Sequence, residues 1–373
     1  MTDIRVDVAV VGAGLMGSAT AWELTRRGVS VALLEQFEPG HAHGSSHGTE
    51  RIVRRAYADP FYTRLTARAM DAWAQAEDDT GTNLLRTTGG LDTGVARDPA
   101  CLAALLAAEG VACDLLAPEE AEARWPGMRF DGPVLFHPEA GVVDADAAVS
   151  AWLRRVGERD GQVLARTRVL SAEPTADGVL VHTDGPTVAA NAVVVAAGSW
   201  LRELARSLGA SVDLPPLAVT QQQVFHFRHR DPAAAWPTIV HKAELQIFGM
   251  PSGADGGPVP AFKLGQHDGG TPTTAATRDG VVDQACRERI VRHVVDRLPG
   301  LDPEPVAEAS CLYTTTPDDD FVLDRIGPLV IASPCSGHGA KFAPLMGAMI
   351  ADLAMGRAEV LPRFALRKPA QVV

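Results

Sequence analysis

The chain has 373 residues, of which 46% are hydrophobic and 21% charged. That is ample apolar material for a core, far from a disordered composition, and the length suits one large domain or two interlocked ones. With 34 Lys and Arg against 46 Asp and Glu the formal net charge is −12, which excludes nucleic acid and anionic membrane as main partners, since both need a basic face.

Asp3, Arg5 and Asp7 stand where a leader peptide would have its apolar stretch, and no run approaches the roughly 20 apolar residues of a bilayer span. Val6 to Val11 (VDVAVV) is β-branched and nearly continuous, the pattern of a buried parallel strand. Gly12, Gly14 and Gly17 follow. Ser18 to Arg27 then predicts a helix closed by Gly28, and Val29 to Leu34 a second strand ending at Glu35. The unit reads as βαβ with its two strands parallel neighbours. In such a unit the first glycine permits the tight turn, the second lets backbone approach a pyrophosphate, and the third allows the helix to pack on the strand. Glu35, at the end of the second strand and about 20 residues on, suits a ribose hydroxyl. The whole pattern predicts a dinucleotide site.

Thr63 to Asp79 places Leu65, Ala69, Ala72, Trp73 and Ala76 on one helical face. Leu85 to Val95 alternates around Gly89-Gly90 and predicts paired antiparallel strands. Short helices are expected over Pro99 to Glu109 and Pro118 to Arg124, and a longer one over Ala148 to Gly157. Asn191 to Ala197 is a further buried strand ending at Gly198. Gln221 to Phe227 and Ala261 to Gly265 are strand-like, Gln284 to Leu298 helical, and 251–258 and 268–273 are Gly- and Pro-rich loops. Leu329 to Ala332 is a short strand, and the turn Gly337 to Gly339 leads towards a helix over Leu345 to Met355. Cys101, Cys113, Cys286, Cys311 and Cys335 are scattered without CxxC spacing, so neither a disulfide framework nor zinc is expected, and the compartment reads as cytoplasmic and reducing.

The segment Gly44 to Arg54 (GSSHGTERIVR) separates two cofactors. A plain dehydrogenase would begin another βα unit soon after Glu35. Here a Gly, Ser and His loop carries Ser45, His47, Arg51 and Arg54 instead. Arg51 and Arg54 either pair with Glu50 and Asp59 on a solvated helix or bind a carboxylate bidentately; the glycine-rich setting favours the second. His41, His43 and His47 lack the acidic or cysteine partner that a metal would need, and no metal is expected. With this segment, Arg124 to Gly127 (RWPG), Ala197 to Trp200 (AGSW), Phe262 to His267 (FKLGQH), Ser310 to Thr314 (SCLYT) and Ser336 to Lys341 (SGHGAK), the sequence resembles the monomeric sarcosine oxidase and N-methyltryptophan oxidase family of FAD-dependent amine oxidases. The resemblance runs nearly end to end.

The resemblance implies an α/β fold, α+β overall, with a doubly wound FAD-binding domain (1–84, 142–214 and 305–373) and a substrate domain built on an antiparallel sheet (85–141 and 215–304). It implies FAD-dependent oxidation of the C–N bond of a secondary amino acid, N-methyl or cyclic, giving an imine and, from dioxygen, hydrogen peroxide. The partners are then a small amino acid or amine and dioxygen, and the enzyme is a monomer. Arg54 and Lys341 would hold the substrate carboxylate, with Phe248 over the substrate. Lys263, His267, Arg51 and His47 would lie at the reaction centre, with Lys263 the cation that activates dioxygen. Gly12, Gly14, Gly17, Glu35, Ser45, Arg51, Gly198, Trp200, Gly337, Gly339 and Lys341 would contact FAD, and Cys311 would carry it through a thioether. Two departures remodel the pocket: Phe248 stands where the sarcosine oxidase type has tyrosine, and Pro334-Cys335 replaces a glycine and an aromatic residue. The alternatives are a related dehydrogenase with another electron acceptor, a primary amino-acid oxidase, and a non-catalytic nucleotide-binding protein.

Overall fold

Ile4–Val11 is a central strand of an eight-stranded sheet. In this computed structural model, which describes residues 4–209 and 212–366, Asp3 and the expected domain segments at 1–3, 210–211 and 367–373 lie outside the described residues. Val31–Leu34 runs parallel to the first strand on one side, with Val8 opposite Val31, and Val188–Val195 runs parallel on the other. Gln162–Leu164 extends the sheet beyond Val31–Leu34, and Leu329–Ser333 lies parallel to the second half of Val188–Val195. The hairpin of Val169–Thr175 and Gly178–Thr183, with Val322–Ile326, completes the sheet. Its parallel strands thus come from the start, middle and end of the chain.

Both faces of this nucleotide sheet are covered, which is why its strands read as unbroken apolar runs. Val8, Val10 and Leu33 pack under the helices Leu15–Arg26, Pro60–Thr80, Ala145–Glu158 and Ala343–Ala354, while Ala9, Val11 and Leu34 face a second core with Val181 and Leu201. Trp152 joins three of those helices, stacking on Trp22 at 5.9 Å and on Trp73 at 5.5 Å between ring centroids. Pro60–Thr80 begins before the apolar stripe does. Asp59 caps it by accepting from the Phe61 amide at 2.9 Å, Pro60 suits the first helical position, and Gly81 ends it.

The hairpin expected over Leu85 to Val95 does not form. Leu85–Thr87 joins Gly141–Asp144 and Glu50–Val53 in a small three-stranded sheet, whereas Gly90–Thr93 enters a nine-stranded roof sheet between Thr238–Lys242 and Val134–His137. Gly89 sits at the divide with φ +75°, and a Cβ there would lie 2.6 Å from the Phe136 ring. The chain turns from one sheet into the other at the glycines instead of folding back.

The roof continues from Thr238–Lys242 through Gln246–Pro251 and Ala261–Gln266 to Ala218–His229. Leu301–Thr315 pairs antiparallel with Ala218–His229, Cys311 opposite Gln222, so the expected domain boundary at 305 falls inside a roof strand. The roof alternates with period two. Phe225, Phe227, Phe262, Leu264 and Ile247 form an outer core with the helix Gln284–Arg297, while Val224, His226, Lys263 and Phe248 face inward.

Candidate active site

Two cavities, of about 690 and 670 Å³, lie along the carboxyl ends of the nucleotide strands and beneath the roof. They share Leu15, Met16, Ser45, Ser46, His47 and Pro334, so they form one cleft.

The first is built around the glycine turn. Gly12 has φ +97°, and a Cβ there would lie 2.6 Å from the Ala196 carbonyl oxygen; one on Gly17 would lie 1.7 Å from the Gly12 oxygen. Gly17 therefore does not line the cleft; it lets the helix Leu15–Arg26 close onto the turn, leaving Gly12 and Gly14 at the surface of the cavity. That helix has no acidic residue in its first turn, so its positive end is left for an external anion. Glu35 is buried with Oε2 accepting from the Ala13 amide at 2.9 Å and Oε1 from the Phe37 amide at 3.0 Å. His41 Nδ1 accepts from the His43 amide, which leaves Nε2–H to face Glu35 at 3.4 Å. Burial raises the Glu35 pKa, but these donors outweigh it and hold the carboxylate below its ordinary value. Gly198 and Trp200 form the far wall, where Trp200 packs 5.9 Å from Phe37.

The second cavity holds the rest. Arg54 donates to the Ala56 carbonyl and lies 4.8 Å over the Tyr57 ring. Lys341, buried on the 3₁₀ turn Ala340–Phe342, donates to the His338 carbonyl at 2.8 Å, and its own carbonyl accepts from Trp73 Nε1 at 2.8 Å. Among the described residues neither cation has a carboxylate within ion-pair distance. Burial and then Arg54 push the Lys341 pKa well below the ordinary lysine value. The half-buried Arg54 and the buried Lys341, sharing one cavity without a carboxylate partner, form a site for an anion.

Arg51 does not offer its guanidinium to a carboxylate. It donates to the carbonyls of His47 at 2.6 Å, Glu50 at 3.0 Å and Ser45 at 3.2 Å, clamping the loop it belongs to. The alternative pairing also fails: Glu50 binds Arg86, Asp59 binds Arg363, and Glu50–Val53 is a strand rather than a helix. Ser45 donates to the Leu312 carbonyl at 2.5 Å, tying this loop to the roof. His47 lines both cavities with Nε2 buried and unpartnered among the described residues.

Lys263 is 2% exposed and is not a lone cation: Asp255 accepts from its Nζ at 2.6 Å. Asp255 also accepts from Thr49 Oγ1 at 2.5 Å. Burial would raise the Asp255 carboxyl, but Lys263 and Thr49 hold it far below its ordinary value. For Lys263 burial and Arg51 win over Asp255, and its pKa is lowered. Asp255 escaped the sequence reading because it lies in the loop 251–258, whose Gly and Pro content gives no sign of a buried partner.

His267 faces the cavity, Phe248 lies across the strand from Gly265, and Gly337 and Gly339 line the turn between roof and helix. A Cβ on Gly339 would lie 1.8 Å from the Pro334 oxygen. Cys311 lines the same cavity on the face that also carries Ala309 and Tyr313, and burial raises its thiol pKa. Further residues had no local signal. Ser46 accepts from the Leu15 amide at 3.0 Å and so caps the nucleotide helix from a distant loop. His338 donates from Nε2 to the Asp319 carbonyl at 2.9 Å, which leaves Nδ1 to accept from the Tyr57 hydroxyl at 3.1 Å. The glycine cradle, the helix end without an acidic residue in its first turn and the orphaned His47 nitrogen all fit a bound FAD.

The FAD dependent oxidoreductase (DAO) family model matches residues 7–353. The chain is 33% identical over 365 residues to the peroxisomal sarcosine oxidase of Mus musculus, covering 94% of this chain and 92% of that protein. It is 30% identical over 384 residues to the monomeric sarcosine oxidase of Bacillus sp. (strain B-0618), covering 98% and 96%. Among solved structures it is similar to the open form of NikD, an amino acid oxidase essential for nikkomycin biosynthesis, with a TM-score of 0.88, 26% identity and 97% of both chains covered.

The cleft histidines set an acid limit on stability. Burial first, then Arg51 for His47, Lys263 for His226, and Lys242 and Arg54 for His267, pushes each down to about 4. Below the unfolded value of about 6.5 the unfolded chain takes up protons that the folded chain refuses, so stability is present above that pH and is lost as pH falls towards 4. Urea unfolding is expected to show a lower midpoint at pH 5 than at pH 7. His226→Gln should flatten the dependence by about 1 kcal/mol per pH unit; an unchanged slope would contradict the assignment of His226 as a neutral buried group.

Proposed function

The chain belongs to the DAO family of FAD-dependent oxidoreductases, in which it is an FAD-dependent amine oxidase of secondary amino acids, and we propose how its residues perform that reaction. The observation that carries the proposal is the pair of cations Arg54 and Lys341, which face one cavity without a carboxylate of their own. They clamp the substrate carboxylate. Their positive field also disfavours a second cation, so the amine enters as its free base. Phe248 and the neighbouring apolar wall exclude water from the rest of the substrate.

A bound FAD would supply the acceptor for the electron pair of the C–N oxidation, with dioxygen as the terminal oxidant reduced to hydrogen peroxide. Gly12, Gly14 and the helix end hold its diphosphate, and Glu35 takes a ribose hydroxyl. Ser45, Arg51, Gly198, Trp200, Gly337 and Gly339 shape the remainder of the cleft. His267 and His47, held neutral, face the reacting groups as acceptors that add no charge. Lys263 presents a positive charge where negative charge develops on dioxygen, and Asp255 fixes its position. Cys311 would carry FAD covalently; its place on a paired strand that lines the cleft supports this.

We assign 1–84, 142–214 and 305–373 to FAD binding and the remainder to substrate binding, with Leu301–Thr315 serving both: it pairs into the roof and carries Cys311 to the cleft. We further assign the enzyme to the cytoplasm as a monomer. No helix among the described residues is long and apolar enough to cross a membrane, and the Bacillus relative is named monomeric.

N-methyl and cyclic amino acids should yield hydrogen peroxide, and Arg54→Ala should lower kcat/KM roughly tenfold or more, the loss of a charge-assisted contact. An amine without a carboxylate that reacts as well as its amino-acid analogue would refute the clamp.

Lys263→Met should slow reoxidation of the reduced enzyme by dioxygen far more than anaerobic reduction by substrate. Equal losses in stopped-flow traces of both halves would return Lys263 to a structural role.

Acid precipitation tests Cys311. Yellow colour should stay with the wild-type pellet and move to the supernatant in Cys311→Ser; colour released from the wild type would rule out the link.

A further inference from the structure

Inward-facing positions of the roof follow its register. On Thr238–Lys242, Ile239 enters the outer core while Val240 and Lys242 line the cavity. Val240 pairs with Phe248, which pairs with Gly265. One row further, Lys242 pairs with Gln246, whose carbonyl accepts the His267 amide at 2.7 Å. Two residues along a strand is about 7 Å, so Lys242 stands about that far beyond the Phe248 row. Its backbone is pinned: the Lys242 carbonyl accepts from the Ala96 amide at 3.0 Å, and a Cβ on Gly94 would lie 2.3 Å from that oxygen.

The charge at this position is not balanced by the protein. Among the described residues Lys242 has no carboxylate within ion-pair distance. The neighbouring cation Arg97 is satisfied by Asp92 at 2.5 Å and by the Ala56 carbonyl at 2.6 Å. Burial, with Arg97 and Arg54 close by, lowers the Lys242 pKa. Asp319, an exposed carboxyl that lines the same cavity and acts on Lys242 electrostatically, is not within ion-pair distance of it. A substrate with a single carboxylate satisfies Arg54 and Lys341 and leaves this third cation unmatched.

We infer that Lys242 binds a second anionic group at the distal end of the substrate, so that the amino acid oxidised carries an acidic side chain. Val240 and Phe248, in the row next to Lys242, then offer apolar surface to the methylenes that join the two anionic groups. This rests on the reading of Arg54 and Lys341 as the clamp for the α-carboxylate. It differs from general electrostatic steering, which would favour every anion alike.

The test uses the FAD-loaded enzyme in two arms. In the first, glutarate and its half-amide are titrated against the flavin absorbance spectrum. In the second, both enantiomers of N-methylglutamate and N-methylglutamine are compared by peroxide release. The diacid should bind roughly tenfold or more tightly than the half-amide, and the acid should exceed the amide in kcat/KM by a similar factor. Lys242→Met should bring both ratios near one, and Lys242→Arg should retain them. Ratios near one in the wild type, or a preference for the acid that survives Lys242→Met, would overturn the inference. If neither substrate turns over while glutarate still binds through Lys242, the anion site stands and the oxidase reading falls.

Discussion

A buried excess of positive charge that the protein declines to cancel governs the architecture of the cleft. Arg54 and Lys341 are anchored by carbonyl dipoles, of Ala56 and His338, rather than by carboxylates. A carbonyl fixes a cation in place while leaving its net charge intact, whereas a carboxylate would neutralise it. Holding such charges out of water is costly, so the scaffold around them must be stiff. The Trp22, Trp152 and Trp73 stack and the Trp73 hydrogen bond to the Lys341 backbone supply that stiffness on the nucleotide side. On the roof side the outer core of Phe225, Phe227 and Phe262 does the same. Two other cations of this cleft do have carboxylate partners, Lys263 in Asp255 and Arg97 in Asp92.

What could be read from the sequence was what depends on period and punctuation. The first βαβ unit announced itself because a two-sided buried strand, a glycine turn and an acidic strand end are all local. Lys263 and His267 were legible through the FKLGQH motif of the resemblance, and both line the cavity. Other features are tertiary. Nothing around Asp255 distinguishes it from a solvated loop residue, and its role exists only because the loop meets Thr49 and Lys263 from distant parts of the chain. Ser46 caps a helix that begins 31 positions earlier in the sequence, at Leu15. Arg51 looked like its neighbour Arg54 and lines the same cavity, yet its guanidinium is taken up by the carbonyls of Ser45, His47 and Glu50, a difference no local signal reveals.

The start of Leu301–Thr315 carries little strand signal, although the stretch around Cys311 reads as a strand and is one. Pro303 and Pro305 interrupt the propensity at its start, which proline does less harm to on a sheet edge, and this strand pairs with Ala218–His229 alone. The division at Gly89 was equally hidden, because the alternation on either side is continuous while the sheets it feeds are different. Alternation reports that a residue has a buried side; it carries no information about which sheet does the burying.

The order of strands in the nucleotide sheet has a consequence for how the polypeptide is made. Ile4–Val11 leaves the ribosome well over a hundred residues before Val188–Val195, which must arrive to flank it, and before Leu329–Ser333, which must arrive to complete the parallel array. The helix Ala343–Ala354, which packs directly against Leu15–Arg26, emerges later still. Until those segments arrive the glycine turn lacks the walls that would hold a dinucleotide. Long-range parallel pairing of this kind is slow to form, and the nascent chain carries exposed strand edges in the meantime. Cofactor capture therefore waits on segments more than three hundred residues downstream of the turn that begins the site.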